Sequence, residues 1–240
     1  MKNITALATG ALVVVAVSAA LTGCTPTTEQ AYTGTAPATP TVWTGSPAPN
    51  PHENASGGYD KPAEGATLHQ YIVDNKIAEV PIKPDEPGTP KISFPFPTDW
   101  RAAGDQKPDW AYGAIVYDKA KDPTDPPFLY AIASKLTGNV EPNKILDLAG
   151  GQLNDLPEFK PVEGTAPKRT KFDGYDAVSY TGTYTWEGNR RAVGQETIVI
   201  PGNGALFVLQ LNGEAPAGQE QVVIDAARLI REQTKITLPS

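Results

Sequence analysis

Residues Val178 to Leu211 read VSYTGTYTWEGNRRAVGQETIVIPGNGALFVLQL, and their pattern decides the fold. Val178, Tyr180, Tyr184 and Trp186 alternate with small or polar residues, which predicts a strand with one buried face. Glu187-Gly188-Asn189 then turns the chain. Arg191 to Ile200 and Ala205 to Leu211 flank Pro201-Gly202-Asn203-Gly204, the composition of a hairpin. The stretch is therefore expected to be an antiparallel meander.

Working outward, Glu220 to Gln233 sets Val223, Ala226, Ala227 and Ile230 on one stripe, with Asp225, Arg228, Arg231 and Glu232 largely off it, predicting an amphipathic helix. Upstream, Ile145, Leu148, Ala149, Leu153 and Leu156 recur at helical spacing after Pro142, although Gly150-Gly151 should weaken or kink that helix. Ala111 to Asp118 and Phe128 to Leu136 are apolar on both alternating faces. They are predicted as neighbouring central strands joined by the turn Asp122 to Pro127. Six prolines between Val80 and Trp100 restrict that segment to loop and edge strand, with Ile92 to Phe96 the expected strand. Thr67-Leu-His-Gln70 has the capping-box pattern and should open a helix with Leu68, Tyr71 and Ile72 on one face, His69 on the other and an exit at Asn75. The expected order, α-β-β-β-α-β-β-β-α over residues 67–240, implies an α+β domain, a mainly antiparallel sheet with helices packed on it.

The N-terminal part carries a different signal. Lys2 precedes an apolar run that ends in Leu21-Thr22-Gly23-Cys24, and Cys24 is the sole cysteine among 240 residues. Residues 1–23 read as a lipoprotein signal peptide, after whose cleavage an acylated Cys24 becomes the N-terminus and membrane anchor. Residues 24–66, rich in Thr, Pro, Ala and Gly, read as a disordered tether, with Trp43, Tyr59 and His52 in it. The expected location is exported and lipid-anchored to the cell membrane or outer envelope, the domain facing the periplasm or cell surface. One cysteine leaves no disulfide framework, so stability must come from the core. The formal charge of −7 argues against nucleic acid as a partner.

Catalytic signatures are not found. There is no Gly-x-Ser-x-Gly elbow, Walker loop or paired-histidine zinc helix, and Ser93, Ser134 and Ser179 fall in predicted strands. Asp118, Asp122 and Asp125 are the densest carboxylate group, but their spacing is not that of an EF-hand and aspartates before prolines cap turns. No metal or cofactor is expected. Trp100 and Trp110, beside Asp105 and Asp109, together with Tyr112, Tyr130, Tyr184 and Trp186, are the candidate ligand or partner surface. A filled core is expected around Tyr112, Tyr130, Tyr180, Tyr184 and Trp186, the alternative being an apolar cavity that opens there for a lipid ligand.

Several stretches carry a resemblance: the lipobox and Thr/Pro tether, Leu68-His-Gln-Tyr-Ile-Val-Asp-Asn75, Gly88-Thr-Pro-Lys-Ile92, Pro97-Thr-Asp-Trp100, Tyr112-Gly-Ala-Ile-Val-Tyr117, Ala133-Ser-Lys-Leu-Thr-Gly138, Val199-Ile-Pro201 and Leu206 to Asn212. Together the chain resembles the LpqN/LpqT lipoproteins of mycobacteria and related actinobacteria. The resemblance implies a Mog1/PsbP-like fold, a sheet between helical layers, and a non-enzymatic protein-binding role in envelope biogenesis among proteins that handle mycolate-containing trehalose lipids. It carries over Cys24 alone as a defined functional residue. A virulence-associated surface protein that binds a host protein is the alternative, and a cryptic hydrolase or acyl transferase of envelope lipids the third reading.

Overall fold

A computed structural model describes residues 67–162 and 167–239, all within the compact unit Thr41–Ser240; the lipobox with Cys24 and the tether with Trp43, Tyr59 and His52 lie outside the described residues. The chain runs α1 (Leu68–Asp74), β1 (Ala78–Pro81), β2 (Lys91–Ser93), β3 (Trp100–Ala102), β4 (Gly113–Tyr117), β5 (Phe128–Thr137) and α2 (Pro142–Leu148). There follow β6 (Lys160–Pro161), β7 (Lys168–Phe172), β8 (Tyr175–Trp186), β9 (Asn189–Gly202), β10 (Ala205–Pro216), α3 (Glu220–Gln233) and β11 (Lys235–Thr237). Nine strands form one antiparallel sheet in the order β3-β4-β5-β10-β9-β8-β6, with β1 beside β5 and β7 beside β8, while β2 and β11 pair separately. The class is α+β, with three α-helices among the described residues.

The predicted meander is its centre: β8, β9 and β10 are long, and Tyr180 faces Gln195 as Asn212 does on the other side. The helix at Glu220–Gln233 has the predicted bounds. Phe128 to Leu136 is buried at nearly every position, and β4 is its neighbour as expected. Yet β4 is only half-buried, because beyond it lies just the three-residue β3; it is an outer strand, not a central one. One edge of β5 serves two short strands, β4 at Phe128–Ala131 and β1 at Ser134–Thr137. Strands β1, β3, β6, β7 and β11 add to the predicted set. Gly150, at φ +86, ends the second helix early, and residues 151–155 form a separate 3-10 turn, so the break is complete rather than a kink.

Alternation divides the packing. Leu129, Ala131 and Ala133 of β5 and Phe207 and Leu209 of β10 pack with Ala226 and Ile230 of α3. Leu136, Val178, Val199 and Leu206 pack with Leu68 and Ile72 of α1 and Ile145 and Leu146 of α2. Gly182 interrupts the aromatic alternation of β8 because a Cβ there would stand 2.3 Å from the Phe159 ring.

The α1 cap forms by half. Thr67 Oγ1 accepts from the Gln70 amide at 3.1 Å, but the Gln70 side chain, instead of reaching back, donates to Asp74 Oδ1 at 2.6 Å. Thr67→Ala should lower stability by about 1 kcal/mol in urea unfolding, while Gln70→Ala should change it by less than half as much.

Candidate functional site

The feature that departs from a packed domain is a cleft of about 650 Å³ between α3 and the sheet. Its floor is made by missing side chains. Gly194 of β9 and Gly213 of β10 are cross-strand partners, and the next pair along that face is Ala192 and Ala215. Two adjacent strands thus present glycine and alanine where a covered sheet normally presents branched side chains, leaving a hollow under the helix. Its walls are Leu129, Leu211, Val223 and Ile230. Gly213 is needed by the helix itself, since a Cβ there would meet Leu129 Cδ2 and Val223 Cγ1, each at 2.7 Å. At Gly194 a Cβ would touch only Thr181 Cγ2, at 3.4 Å, so that position opens into the hollow.

The cleft also explains a departure in α3. Of the predicted stripe, Ala226 and Ile230 are buried and Val223 half-buried, but Ala227 is exposed; Ile224, outside that stripe, keeps 54% of its surface, and both Ala227 and Ile224 line the hollow. Phe96, 59% exposed, belongs to the same lining.

Three charged side chains line it. Glu220 Oε1 accepts from the Gly218 amide at 2.9 Å. Arg231 Nη1 donates to Thr170 Oγ1 at 3.0 Å and stands 2.9 Å from Glu196 Oε1. Glu196 is 9% exposed, and burial, only partly offset by the Arg231 charge, pushes its carboxyl up to about 7. A folded-state value above the unfolded one means that the contribution of Glu196 to stability is greatest below about pH 4.5 and is lost as pH rises through about 7. Keeping Glu196 ionised costs about 3 kcal/mol. Glu196→Gln should therefore raise urea-unfolding stability by about 1–3 kcal/mol at pH 8 and by little at pH 5.

The opposite face holds a buried polar set. Tyr184 donates to Glu214 Oε2 at 2.8 Å, Arg191 Nε lies 3.7 Å from the same oxygen, and Arg191 also pairs with Asp125. Beyond them Gln195 donates to Asn212 Oδ1 at 3.2 Å and Asn212 to Gln210 Oε1 at 3.4 Å. Burial pushes the Glu214 carboxyl up, opposed by the Tyr184 hydroxyl and Arg191. Burial, and then the Glu214 charge, push the Tyr184 hydroxyl far above its ordinary range.

The candidate aromatic residues do not form one surface but fall into separate groups. Trp100 leans on Tyr117 and Tyr112 on Phe94; Trp110 packs edge-on against Tyr130; Tyr184 and Trp186 belong to the cluster around Leu153 and Phe159. Of Tyr112, Tyr130, Tyr180, Tyr184 and Trp186, only Tyr130 is in the cleft lining. Tyr112, Tyr130, Tyr180 and Tyr184 are buried in a filled core, as expected, and the cleft lies on the glycine-bearing face, away from which the even-numbered aromatic residues of β8 point. The carboxylates are engaged separately: Asp118 with Arg101 at 2.6 Å, Asp122 with the Thr124 amide at 2.8 Å, and Asp125 with Arg191. Among the described residues, no three His, Cys, Asp or Glu are grouped to hold a metal. Sequence reasoning missed Gly194, Gly213, Ala192, Ala215 and Glu196. Their signal was small residues on one face of two successive strands.

The family model Lpp-LpqN, "Probable lipoprotein LpqN", matches residues 64–237. The chain belongs to the LpqN lipoprotein family. The lipoprotein LpqN of Mycobacterium tuberculosis is 44% identical over 172 residues, 71% of this chain and 74% of that protein. The crystal structure of LpqN involved in cell envelope biogenesis of M. tuberculosis superposes with a TM-score of 0.68 at 42% identity, covering 73% of this chain and 99% of that one. The LpqN match spans every described helix and every strand of the large sheet, so the cleft and the polar set both fall inside the family domain.

Proposed function

We propose that this LpqN-family protein is a lipid-anchored, non-enzymatic binding module of the cell envelope, which holds an amphiphile of the trehalose-glycolipid class in its cleft while docking envelope proteins. The observation that carries the reading is the hollow floored by Gly194 and Gly213: about 650 Å³ lined mostly by apolar side chains suits an acyl chain and would be costly to keep for no ligand. The M. tuberculosis relative, involved in cell envelope biogenesis, supports the setting. Acylation at Cys24 would keep the module at its membrane, and the Mog1/PsbP-like layering belongs to the same reading.

Native mass spectrometry of the protein purified from its own envelope should show a co-purifying glycolipid mass. A ligand-free spectrum from that source would overturn the cleft assignment. The non-enzymatic part is tested separately, since Ser179 lines the cleft opposite Glu196. A fluorophosphonate probe should leave Ser179 unlabelled, and stoichiometric labelling there would make the protein a hydrolase or acyl transferase.

A further inference from the structure

The mouth of the cleft is built unlike its floor. Phe96, Val162 and Ile224 all belong to the lining, yet each keeps about half of its surface or more. They come from three places in the chain: Phe96 follows β2, Ile224 lies on α3, and Val162 follows β6, its amide donating to the Thr181 carbonyl at 3.2 Å. Of the six large apolar side chains exposed among the described residues, half therefore stand around one opening. Scattered exposed apolar residues are ordinary, but three gathered at one rim mark a contact surface. Two lysines flank it. Directly opposed residues of antiparallel strands project to the same face, so the pairings of Lys160 with Thr183 and Lys168 with Ser179 put both side chains on the cleft side, one to either side of Val162. Both are exposed, and among the described residues neither has a carboxylate partner. The basic residues that β7 turns to the opposite face are paired, Arg169 with Asp147 and Lys171 with Asp176. Against a formal charge of −7 for the whole chain, two unpaired positive charges stand beside the opening.

We propose that this rim is a membrane-docking surface, in which Phe96, Val162 and Ile224 enter the interface of an anionic bilayer while Lys160 and Lys168 hold its lipid headgroups. Apolar tips gain by leaving water for the acyl boundary, and each lysine adds an attraction that acts within a Debye length of the surface. A bilayer fits the arrangement better than a protein does. The three side chains stand around an opening into about 650 Å³, over which a rigid partner would span a void, whereas fluid lipid closes around each tip and can fill the hollow. Docked in this way, the cleft opens onto hydrocarbon, and an acyl chain passes between bilayer and hollow without crossing water. The surface goes beyond the amphiphile reading, since docking itself needs no lipid in the cleft.

The test is flotation of residues 67–240 with lipid vesicles, the M. tuberculosis counterpart having crystallised as a chain of nearly that extent. Those residues lack Cys24, so any binding belongs to the domain surface. Vesicles of equal parts phosphatidylcholine and phosphatidylglycerol should bind the domain about tenfold more tightly than phosphatidylcholine alone. Lys160→Gln combined with Lys168→Gln should remove that advantage and change little on the neutral vesicles. Phe96→Ser combined with Ile224→Ser should weaken binding to both kinds severalfold. All four positions are exposed, so the variants should fold, with thermal unfolding as the control. Gly194→Trp, which fills the hollow and spares the rim, should float like the wild type; its loss of binding would mean that vesicles are held through a lipid drawn into the cleft and would overturn the docking surface. Binding indifferent to the lysine pair or to the Phe96 and Ile224 pair would overturn it as well. Absence of wild-type binding to the anionic vesicles would do the same and leave an acidic protein as the occupant of the rim, with the cleft assignment still decided by its own mass spectrum.

Discussion

Gly194→Trp should abolish amphiphile binding while the domain stays folded. The backbone at Gly194 is ordinary strand, which aromatic residues favour, and its Cβ would have the cleft in front of it with only Thr181 Cγ2 near. An indole occupies more room than three methylenes. At about 0.8 kcal/mol for each methylene denied burial, affinity should fall about 50-fold or more. The measurement is titration with dodecyl maltoside, with thermal unfolding as the control, and Gly194→Ala should bind nearly normally. Unchanged affinity with tryptophan in place would mean that ligand sits elsewhere. Gly213→Trp is the contrasting variant: its side chain would collide with Leu129 and Val223, so it should lose stability along with binding.

Arg191→Met should be the most destabilising single change among the polar residues. Arg191 and Glu214 are both buried, with Tyr184 wholly covered above them. Removing the cation leaves the Glu214 carboxylate and the inward-facing Asp125 without their partner, a situation that costs about 3–5 kcal/mol. Because Glu214 is already biased toward its neutral form, it can take up a proton when Arg191 is gone. The loss should therefore be smaller at pH 5 than at pH 8. Arg191→Met combined with Glu214→Gln should recover most of it, as urea unfolding would show. A pH-independent loss would point to packing of the Arg191 stem instead.

Local pattern made the centre of this fold readable. The alternation of Val178, Tyr180 and Tyr184, the turn at Gly188 and the stripe of Ala226 and Ile230 each correspond to an observed element with close to the expected bounds. Strands β1, β3 and β7 were not readable for a shared reason. They are short, and their sequences, AEVP, WRA and KRTKF, carry no period-two burial; they are strands because β5, β4 and β8 offer them a ladder. The cleft was hidden for another reason. Sequence reading looks for what large side chains do, and aromatic residues drew attention to the even face of β8, whereas the hollow is produced by side chains missing from Gly194 and Gly213. Those two positions are 19 apart in sequence, and only the β9–β10 register makes them neighbours.

That register has a further safeguard in β10, whose two sides are both covered but differ in kind: Leu209 and Leu211 look toward α3, while Gln210, Asn212 and Glu214 look the other way. A slip of one residue during folding would thrust amide and carboxyl groups among leucines and leave Tyr184 and Arg191 facing hydrocarbon. Misaligned hairpins are thus penalised twice, once for each surface, and the strand proofreads its own alignment before a ligand ever arrives.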